Sequence, residues 1–126
     1  TKEEKYLAIL PRLRALLAGE TDEVARMSNM AAVLHSVSSD PGGPGFIGGI
    51  IGELVLGPFQ GPVACMRITK GRGVCGTSWN EERTVIVPDV ELFPGHIACS
   101  SESRSEIVVP CRKRGRIAAV LDIDSR

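Results

Sequence analysis

The sequence lacks the features that mark several common classes of protein. No stretch reaches the ~18 consecutive apolar residues that a membrane span requires, so we expect no membrane-spanning segment. Fifteen basic and fifteen acidic residues cancel in net charge, and the basic run at 112–116 has no aromatic residues interleaved with it, so nucleic acid is not an expected partner. The charged N-terminus also lacks an apolar secretory core, and we therefore expect a cytoplasmic protein.

Cysteine pairs of the Cys-x-x-Cys type are missing as well. Their absence argues against a zinc ribbon and against a thioredoxin-type motif. In the cytoplasm the cysteines are expected to be reduced at rest. The four cysteines are Cys65, Cys75, Cys99 and Cys111. A zinc shell made of the first three with His96 is a minor alternative, and we predict neither a metal ion nor another cofactor.

The first part of the sequence has helical periodicity. The 126 residues suffice for a hydrophobic core, and we expect a single domain over 1–126. Two apolar stripes predict two helices, with Pro11 bending or restarting the first and the second beginning near Thr21 or Asp22. The first stripe is Tyr6, Leu7, Leu10, Leu13 and Leu17. The second stripe is Val24, Met27, Ala31 and Leu34.

Short apolar and β-branched runs follow the helices, separated by glycine and proline. We predict strands at 46–51, 54–56, 63–68 and 84–87, and a short helix at 74–83. Helices followed by several strands predict an α+β fold with an antiparallel sheet. The 71–76 segment has the spacing of a dinucleotide-binding fingerprint, but no parallel βαβ unit follows it. We interpret it as a tight strand-to-helix bend.

The last segment predicts a β-hairpin whose arms are 105–111 and 117–124. A three-residue loop at 113–115 would pair Arg112 with Arg116. That register places Glu106 opposite Asp122, with Asp124 on the diagonal. One face of the hairpin would be wholly apolar and form the core, while the other carries the three acids at one end. The apolar face is Ile107, Val109, Cys111, Ile117, Ala119, Leu121 and Ile123.

Three neighbouring carboxylates allow three interpretations. They can be a solvated strand end, or a site for a hard metal ion that prefers oxygen ligands. They can also form a pocket for a ligand with an ammonium group, in which one acid stays protonated and donates to a ligand oxygen. The spacing alone does not choose among these interpretations.

The surroundings of the four cysteines differ in the sequence. Cys111 falls on the apolar face of the hairpin and is expected to be buried and inert. Cys99 lies in a polar loop where a thiolate would be accessible. The predicted helix start should lower the pKa of Cys75, and Cys65 is expected to be buried in a strand.

Several segments between Leu54 and Ser125 are specific in combination. They are Leu54–Gly61, Ala64–Cys65, Arg67–Ile68, Gly71–Thr77, Asp89–Val90, Pro94–Cys99, Ser105–Pro110 and Leu121–Ser125. Together they resemble the free methionine-R-sulfoxide reductases, a family built on a GAF domain. The resemblance implies a GAF-like antiparallel sheet of about six strands with helices packed on it, in a homodimer. That family continues into a closing C-terminal helix, which we expect to be absent here.

The resemblance also implies an oxidoreductase that reduces free L-methionine-R-sulfoxide to methionine. It assigns to Cys99 the attack on the sulfoxide sulfur, which converts Cys99 to a sulfenic acid. Cys65 would resolve this acid as an intramolecular disulfide, and Cys75 is a second candidate for the resolving thiol. Thioredoxin would then return the enzyme to its dithiol form.

The acids of the hairpin match the family's substrate-binding residues. Glu106, Asp122 and Asp124 would hold the ammonium group and the sulfoxide oxygen, and a protonated carboxyl could supply the proton needed as the S–O bond breaks. The family's aromatic stretch Asn-Trp-x-Gly-Phe-Tyr reads Gly-Gly-Pro-Gly-Phe-Ile at 42–47, which leaves Phe46 as the aromatic substrate contact. This change favours the alternative, a GAF module that senses a small molecule or redox change without turnover.

Overall fold

The computed structural model describes residues 1–37, 43–50, 52–97, 99 and 103–125, and the side chains of residues 2, 46, 49 and 50 lie outside that description. The helices are α1 (Lys2–Leu17), α2 (Glu23–Val37) and α3 (Gly73–Glu81). The strands are β1 (Pro44–Ile50), β2 (Glu53–Phe59), β3 (Arg67–Thr69), β4 (Val85–Val87), β5 (Ser105–Lys113) and β6 (Arg116–Ser125). In these ranges, no helix is both long enough and apolar enough to cross a membrane.

The strands form one six-stranded sheet in the order β3-β2-β1-β6-β5-β4, and every neighbouring pair is antiparallel. The predicted α+β class and the expected sheet of about six strands are confirmed. Helix α3 packs against β3, β4, β5 and β6, whereas α2 packs against β1 and β2, and α1 packs on α2. The main core lies under α3, and a separate small cluster joins α1 to α2.

Helix α1 buries a narrower stripe than the sequence predicts. Ile9, Leu13 and Leu17 are buried, while Leu7 and Leu10 are 58% and 41% exposed. The predicted stripe is wrong at its first positions. Helix α1 packs mainly against α2, and a single neighbouring helix covers only one row of its side chains. The helix continues through the exposed Pro11. Proline has no N–H, so the backbone carbonyl of Leu7, four positions earlier, loses its hydrogen-bond donor. Leu7 is exposed, and water can take the place of that donor.

Helix α2 begins where the sequence predicts. The Asp22 side chain accepts a hydrogen bond from the backbone N–H of Ala25, which caps the helix start. Ala31 and Val33 are its buried residues, but Val24 is 60% exposed, so the first member of the predicted stripe does not belong to the core.

The strands around β2 and β3 differ most from prediction. The structure extends the predicted 54–56 strand to Glu53–Phe59 and shortens the predicted 63–68 strand to Arg67–Thr69. Between them, residues 60–66 form an irregular connection. Pro62 within it has no N–H to donate to a strand ladder. Cys65 therefore lies in a loop and is half-buried, which corrects the expectation of a buried strand residue.

The hairpin of β5 and β6 has a shorter turn than predicted. Arg114 and Gly115 form a two-residue turn in which both φ angles are positive, 53° and 79°, as the turn type that suits strand twist requires. This turn pairs Lys113 with Arg116, so the predicted pairing of Arg112 with Arg116 is wrong.

A bulge then shifts the rest of the ladder. The register changes between Cys111 and Arg112, because one extra residue on the other strand is accommodated there. As a result Glu106 lies opposite Asp124, and Val108 lies opposite Asp122. The predicted pairing of Glu106 with Asp122 is wrong, although the three acids remain on one face.

The deeply buried face of the hairpin is the opposite of the predicted one. Val108 and Val120 are 0% exposed and share their face with the acids, because α3 packs over that face. The face predicted to be core is mostly half-buried, as Ile107, Leu121 and Ile123 show. The acids therefore lie next to the hydrophobic core rather than on its solvent side.

Candidate active site

A cavity opens between the sheet and the loops that surround α3. Its volume of about 70 Å³ is several times the ~10–15 Å³ that one water molecule needs, which suits a small ligand. Its polar lining consists of Cys65, Cys75, His96, Cys99, Ser103, Glu106, Asp122 and Asp124, together with Gln60 and Ser125. The cysteine pair and the three acids that the sequence singles out thus line one cavity.

The acids reach the cavity because of their positions on β5 and β6. Side chains alternate between the two faces of a strand, so Asp122 and Asp124 project to the same side of β6. Glu106 is the direct cross-strand partner of Asp124. The register therefore brings three carboxyl groups together at the cavity, which is also lined by the loop before β3 and by His96, Ile97 and Cys99.

Glu106 is the most protected of these acids. Its side chain is 8% exposed, and its Oε1 lies 3.4 Å from Nε2 of His96. Burial and the neighbouring Asp122 raise the pKa of Glu106 to about 9, although His96 opposes the shift. Glu106 is therefore protonated at neutral pH and can donate a proton.

The two aspartates have smaller shifts. Burial raises the pKa of Asp122 to about 6, with the charge of Asp124 acting in the same direction and hydrogen bonds from Glu106 and Cys75 opposing it. Burial and the charge of Glu106 raise the pKa of Asp124 to about 7, while a hydrogen bond from Ser103 opposes the shift. Near neutral pH, Asp122 is mainly ionised and carries negative charge inside the cavity.

One carboxylate oxygen of Asp122, Oδ1, is buried and accepts no hydrogen bond from the described residues. Buried acceptors are nearly always satisfied by protein, water or a ligand. This oxygen is a candidate contact for a ligand donor.

Cys65 and Cys99 form a disulfide. Their Cα atoms are 5.2 Å apart, and 34 positions separate them in the sequence. The loop before β3 carries Cys65, and the segment after His96 carries Cys99. The pair lines the same cavity as the acids, so a disulfide and a protonated carboxyl group share one site.

The other two cysteines are free thiols. Cys75 lies in the first turn of α3 and is 3% exposed. Burial and the negative charge of Asp122 and Glu106 raise the pKa of its thiol, so the prediction of a lowered pKa at the helix start is wrong. Cys111 is half-buried rather than fully buried, away from the cavity lining, and burial raises the pKa of its thiol.

The glycine-rich bend at 71–76 explains how Cys75 enters the site. A Cβ atom added to Gly76 would lie 2.7 Å from the backbone oxygen of Thr69. Only glycine permits this close approach of α3 to β3. The interpretation as a strand-to-helix bend is confirmed, and the bend places the first turn of α3 against the cavity.

The rest of the lining is apolar. One wall is formed by Ile47, Leu56, Phe59, Val63, Ile68 and Ile97. Phe59 supplies an aromatic ring that we did not assign to the site from the sequence. The side chain of Phe46, predicted as a substrate contact, lies outside the described side chains, although its backbone pairs with Leu121. Trp79 packs against the main core and beneath Lys70 instead of lining the cavity.

The sequence patterns also missed two polar contacts of the acids. The sequence indicates His96 only as a possible zinc ligand and gives no signal for Ser103. These contacts join His96 and Ser103, which precede β5, to Glu106 and Asp124 on the hairpin. Spacing along the chain carries no signal for such contacts.

A metal ion is the remaining alternative for this cluster. Cys75, Glu106 and Asp122 each offer one ligand atom, and these atoms lie within 4.8 Å of one another. A thiol with two carboxylates is a plausible donor set for a borderline ion such as Zn²⁺. Burial raises the pKa values of Cys75 and Glu106, so an ion that binds here would have to displace both protons.

Comparisons with known proteins agree with this geometry. The GAF domain model matches residues 12–126. GAF domain-containing protein A of Dictyostelium discoideum is 54% identical over 125 residues, which cover 99% of this chain and 79% of that protein. The free methionine-R-sulfoxide reductase of Escherichia coli is 45% identical over 124 residues, which cover 98% of this chain and 75% of that protein. The structure of free methionine-R-sulfoxide reductase from Neisseria meningitidis in complex with its substrate has a TM-score of 0.95 at 50% identity, covering 99% of this chain and 75% of that one.

Proposed function

Because this chain belongs to the GAF domain family and is closely related to the free methionine-R-sulfoxide reductases, we propose that it reduces free L-methionine-R-sulfoxide to methionine. The observation that carries the proposal is the shared cavity, which holds a pair of cysteines able to form a disulfide and three buried acids. A module that only binds a ligand needs no disulfide pair beside a buried proton donor.

Substrate binding would use the charge and the apolar wall of the cavity. The ammonium group of the free amino acid would pair with Asp122 and Asp124. Oδ1 of Asp122, which has no partner in the part of the chain that the structure describes, supports this assignment. Charge-assisted hydrogen bonds of this type are about twice as strong as neutral ones. The thioether end would pack on the apolar wall, which includes Phe59, with Phe46 as a further proposed contact.

In the proposed first step, the Cys99 thiolate attacks the sulfoxide sulfur and protonated Glu106 donates its proton to the sulfoxide oxygen. The S–O bond of the substrate breaks, and the oxygen ends on the Cys99 sulfur as a sulfenic acid. The substrate sulfur is reduced by two electrons and Cys99 is oxidised by two. The burial that raises the pKa of Glu106 to about 9 supports its role as the acid at neutral pH.

In the second step, the Cys65 thiol attacks the sulfenic sulfur, the S–S bond forms and water leaves. The Cα separation of 5.2 Å between Cys65 and Cys99 supports this pairing. An external dithiol of the thioredoxin class would then reduce the disulfide and become oxidised. In sum, one sulfoxide and one external dithiol give methionine, water and one external disulfide.

The second candidate function is a GAF sensor without turnover. The aromatic stretch at 42–47, which retains only Phe46 of the family's aromatics, favours it. Such a sensor would bind a small ligand in the same cavity, or would report oxidation through Cys65 and Cys99, but would release no product.

A product assay separates the two functions. The reduced protein is incubated with free methionine-R-sulfoxide and dithiothreitol, and methionine is quantified over time for the wild type, Cys99→Ser and Cys111→Ser. We expect turnover by the wild type and Cys111→Ser and none by Cys99→Ser. Binding without methionine formation would support the sensor, and equal product from wild type and Cys99→Ser would contradict the proposed nucleophile.

A further inference from the structure

Cys75 is a buried thiol to which the proposed reaction assigns no task. It is 3% exposed and does not belong to the Cys65–Cys99 disulfide. Its Sγ and one carboxylate oxygen each of Glu106 and Asp122 all lie within 4.8 Å of one another. The thiol therefore lies against the acids that would meet the substrate.

The surroundings of Cys75 keep its sulfur protonated. Burial raises the pKa of the thiol, and the negative charge of Asp122 and Glu106 raises it further. A thiolate is the form that attacks a sulfenic acid or a disulfide, so this cysteine is a poor resolving thiol. It does keep an S–H group, which is a hydrogen-bond donor.

The acceptors nearest to this donor are the carboxyl groups of Glu106 and Asp122, each of which has an oxygen within 4.8 Å of Sγ, and the ionised Asp122 is the stronger acceptor of the two. Oδ1 of Asp122 is buried and has no hydrogen-bond partner among the described residues. Asp122 lines the cavity. A hydrogen bond from the thiol would hold one oxygen of this carboxylate and leave the other for a ligand.

Local structure fixes the position of the thiol. Helix α3 cannot move towards or away from β3 without changing the close approach of Gly76 to Thr69. Val74 and Ser78, on either side of Cys75 in α3, are also buried. A donor mounted on such a packed element can orient a carboxylate with little loss of entropy on binding.

We propose that Cys75 is a positioning residue for recognition of the substrate's ammonium group, because its S–H donates to one oxygen of Asp122 and holds the other towards the cavity. The inference rests on the proposed function and deepens it by naming what orients the ammonium contact. In this role Cys75 forms and breaks no covalent bond. This role differs from that of a second resolving cysteine, which the resemblance implies for Cys75 and which would need a thiolate.

The test is calorimetric titration of the reduced full chain with free methionine, which has the ammonium group but cannot be turned over. Cys75→Ala, which lacks a donor, should weaken binding about 10-fold, the loss expected for a hydrogen bond to a charged group. Cys75→Ser keeps a donor and should recover most of the affinity, and the control Cys111→Ala should bind as the wild type does. Steady-state kinetics of Cys75→Ala should show the loss in KM rather than in kcat.

A double-mutant cycle tests whether Cys75 acts through Asp122. In an Asp122→Asn background, Cys75→Ala should cause no further loss of methionine affinity. Should Cys75→Ala fail to fold, the infrared S–H stretching band of Cys75 in the wild type provides a second measurement. That band, identified as the one missing from Cys75→Ser, should move to higher frequency in Asp122→Asn because its acceptor is weakened.

Several results would overturn the inference. They are wild-type affinity of Cys75→Ala for methionine, additive losses in the cycle, an S–H band that Asp122→Asn does not move, and no binding of methionine by the wild type. Equal loss of kcat in Cys75→Ser and Cys75→Ala would show a resolving thiol instead. If the methionine affinities of the wild type and the variants follow the expected pattern but the wild type reduces no sulfoxide, the reductase proposal fails and the role of Cys75 stands.

Discussion

Glu106 on β5 and Asp124 on β6 lie directly opposite each other on the buried face of the closing hairpin. Two carboxyl groups held this close and partly desolvated cannot both ionise cheaply, so at least one stays protonated. His96 lies 3.4 Å from the Glu106 carboxylate and only partly offsets the effect. Burial and the adjacent Asp122 raise the pKa of Glu106 to about 9, and burial together with Glu106 raises that of Asp124 to about 7, so the site keeps a proton donor at neutral pH.

Stability should fall as pH rises, because the buried acids have raised pKa values. The ordinary pKa of Glu106, 4.5, rises to about 9 in the folded chain. Below pH 4.5 the folded and the unfolded chain both hold this proton, and ionisation of Glu106 does not lower the free energy of unfolding. Between these values the unfolded chain has lost the proton that the folded chain keeps, and stability falls by up to about 1.4 kcal/mol per pH unit. Asp122 and Asp124 act in the same direction at lower pH.

Urea unfolding of Glu106→Gln between pH 6 and pH 9 tests this dependence. The variant cannot ionise at this position, so its free energy of unfolding should vary less with pH than that of the wild type. The exposed acid Glu91 provides the control, and Glu91→Gln should retain the wild-type dependence. A wild type whose stability rises from pH 6 to pH 9 would show that Glu106 is ionised in the folded state.

Replacing Cys65 should separate the two chemical steps. Cys65→Ser retains the nucleophile Cys99, so one equivalent of methionine should still form. Without a partner thiol the sulfenic acid should persist, and steady-state turnover should fall at least about 100-fold, a loss of about 2.7 kcal/mol in catalysis. Trapping with dimedone and mass spectrometry would detect the sulfenic acid. Unchanged steady-state turnover would mean that another thiol, or the external reductant itself, resolves Cys99.

The bend before α3 should be intolerant of a side chain. In Gly76→Ala the new Cβ would lie 2.7 Å from the Thr69 backbone oxygen, and relief of that clash must move packed backbone, at a cost of about 1–3 kcal/mol. Gly48→Ala is the matched control, because its Cβ would lie 4.0 Å from its nearest neighbour, the Val55 oxygen. Thermal unfolding should show a lower midpoint for Gly76→Ala alone. Equal midpoints for the two variants would mean that α3 can shift freely.

The α+β class and the clustering of the acids could be predicted because both depend on local periodicity. Alternation along β6 places Asp122 and Asp124 on one face whatever the pairing partner. The register of the hairpin could not be predicted. A two-residue turn at Arg114 followed by a bulge at Cys111 and a three-residue loop without a bulge are nearly equally compatible with this sequence.

The buried face and the cysteine environments depend on contacts between elements far apart in sequence. The hairpin has two faces rich in apolar residues, and only the packing of α3 decides that Val108 and Val120 lie in the core. The same packing buries Cys75 among the acids, which outweighs the helix-start effect on its pKa. Neither result follows from spacing along the chain.

The most direct test of the account is a single turnover without external reductant. Fully reduced protein is mixed with excess free methionine-R-sulfoxide, methionine is quantified, and the disulfide is mapped by peptide mass spectrometry. The account predicts one methionine per chain and one new disulfide, between Cys65 and Cys99, with Cys75 and Cys111 still carrying free thiols. No methionine, or one methionine per chain with the new disulfide at another cysteine pair, would contradict it.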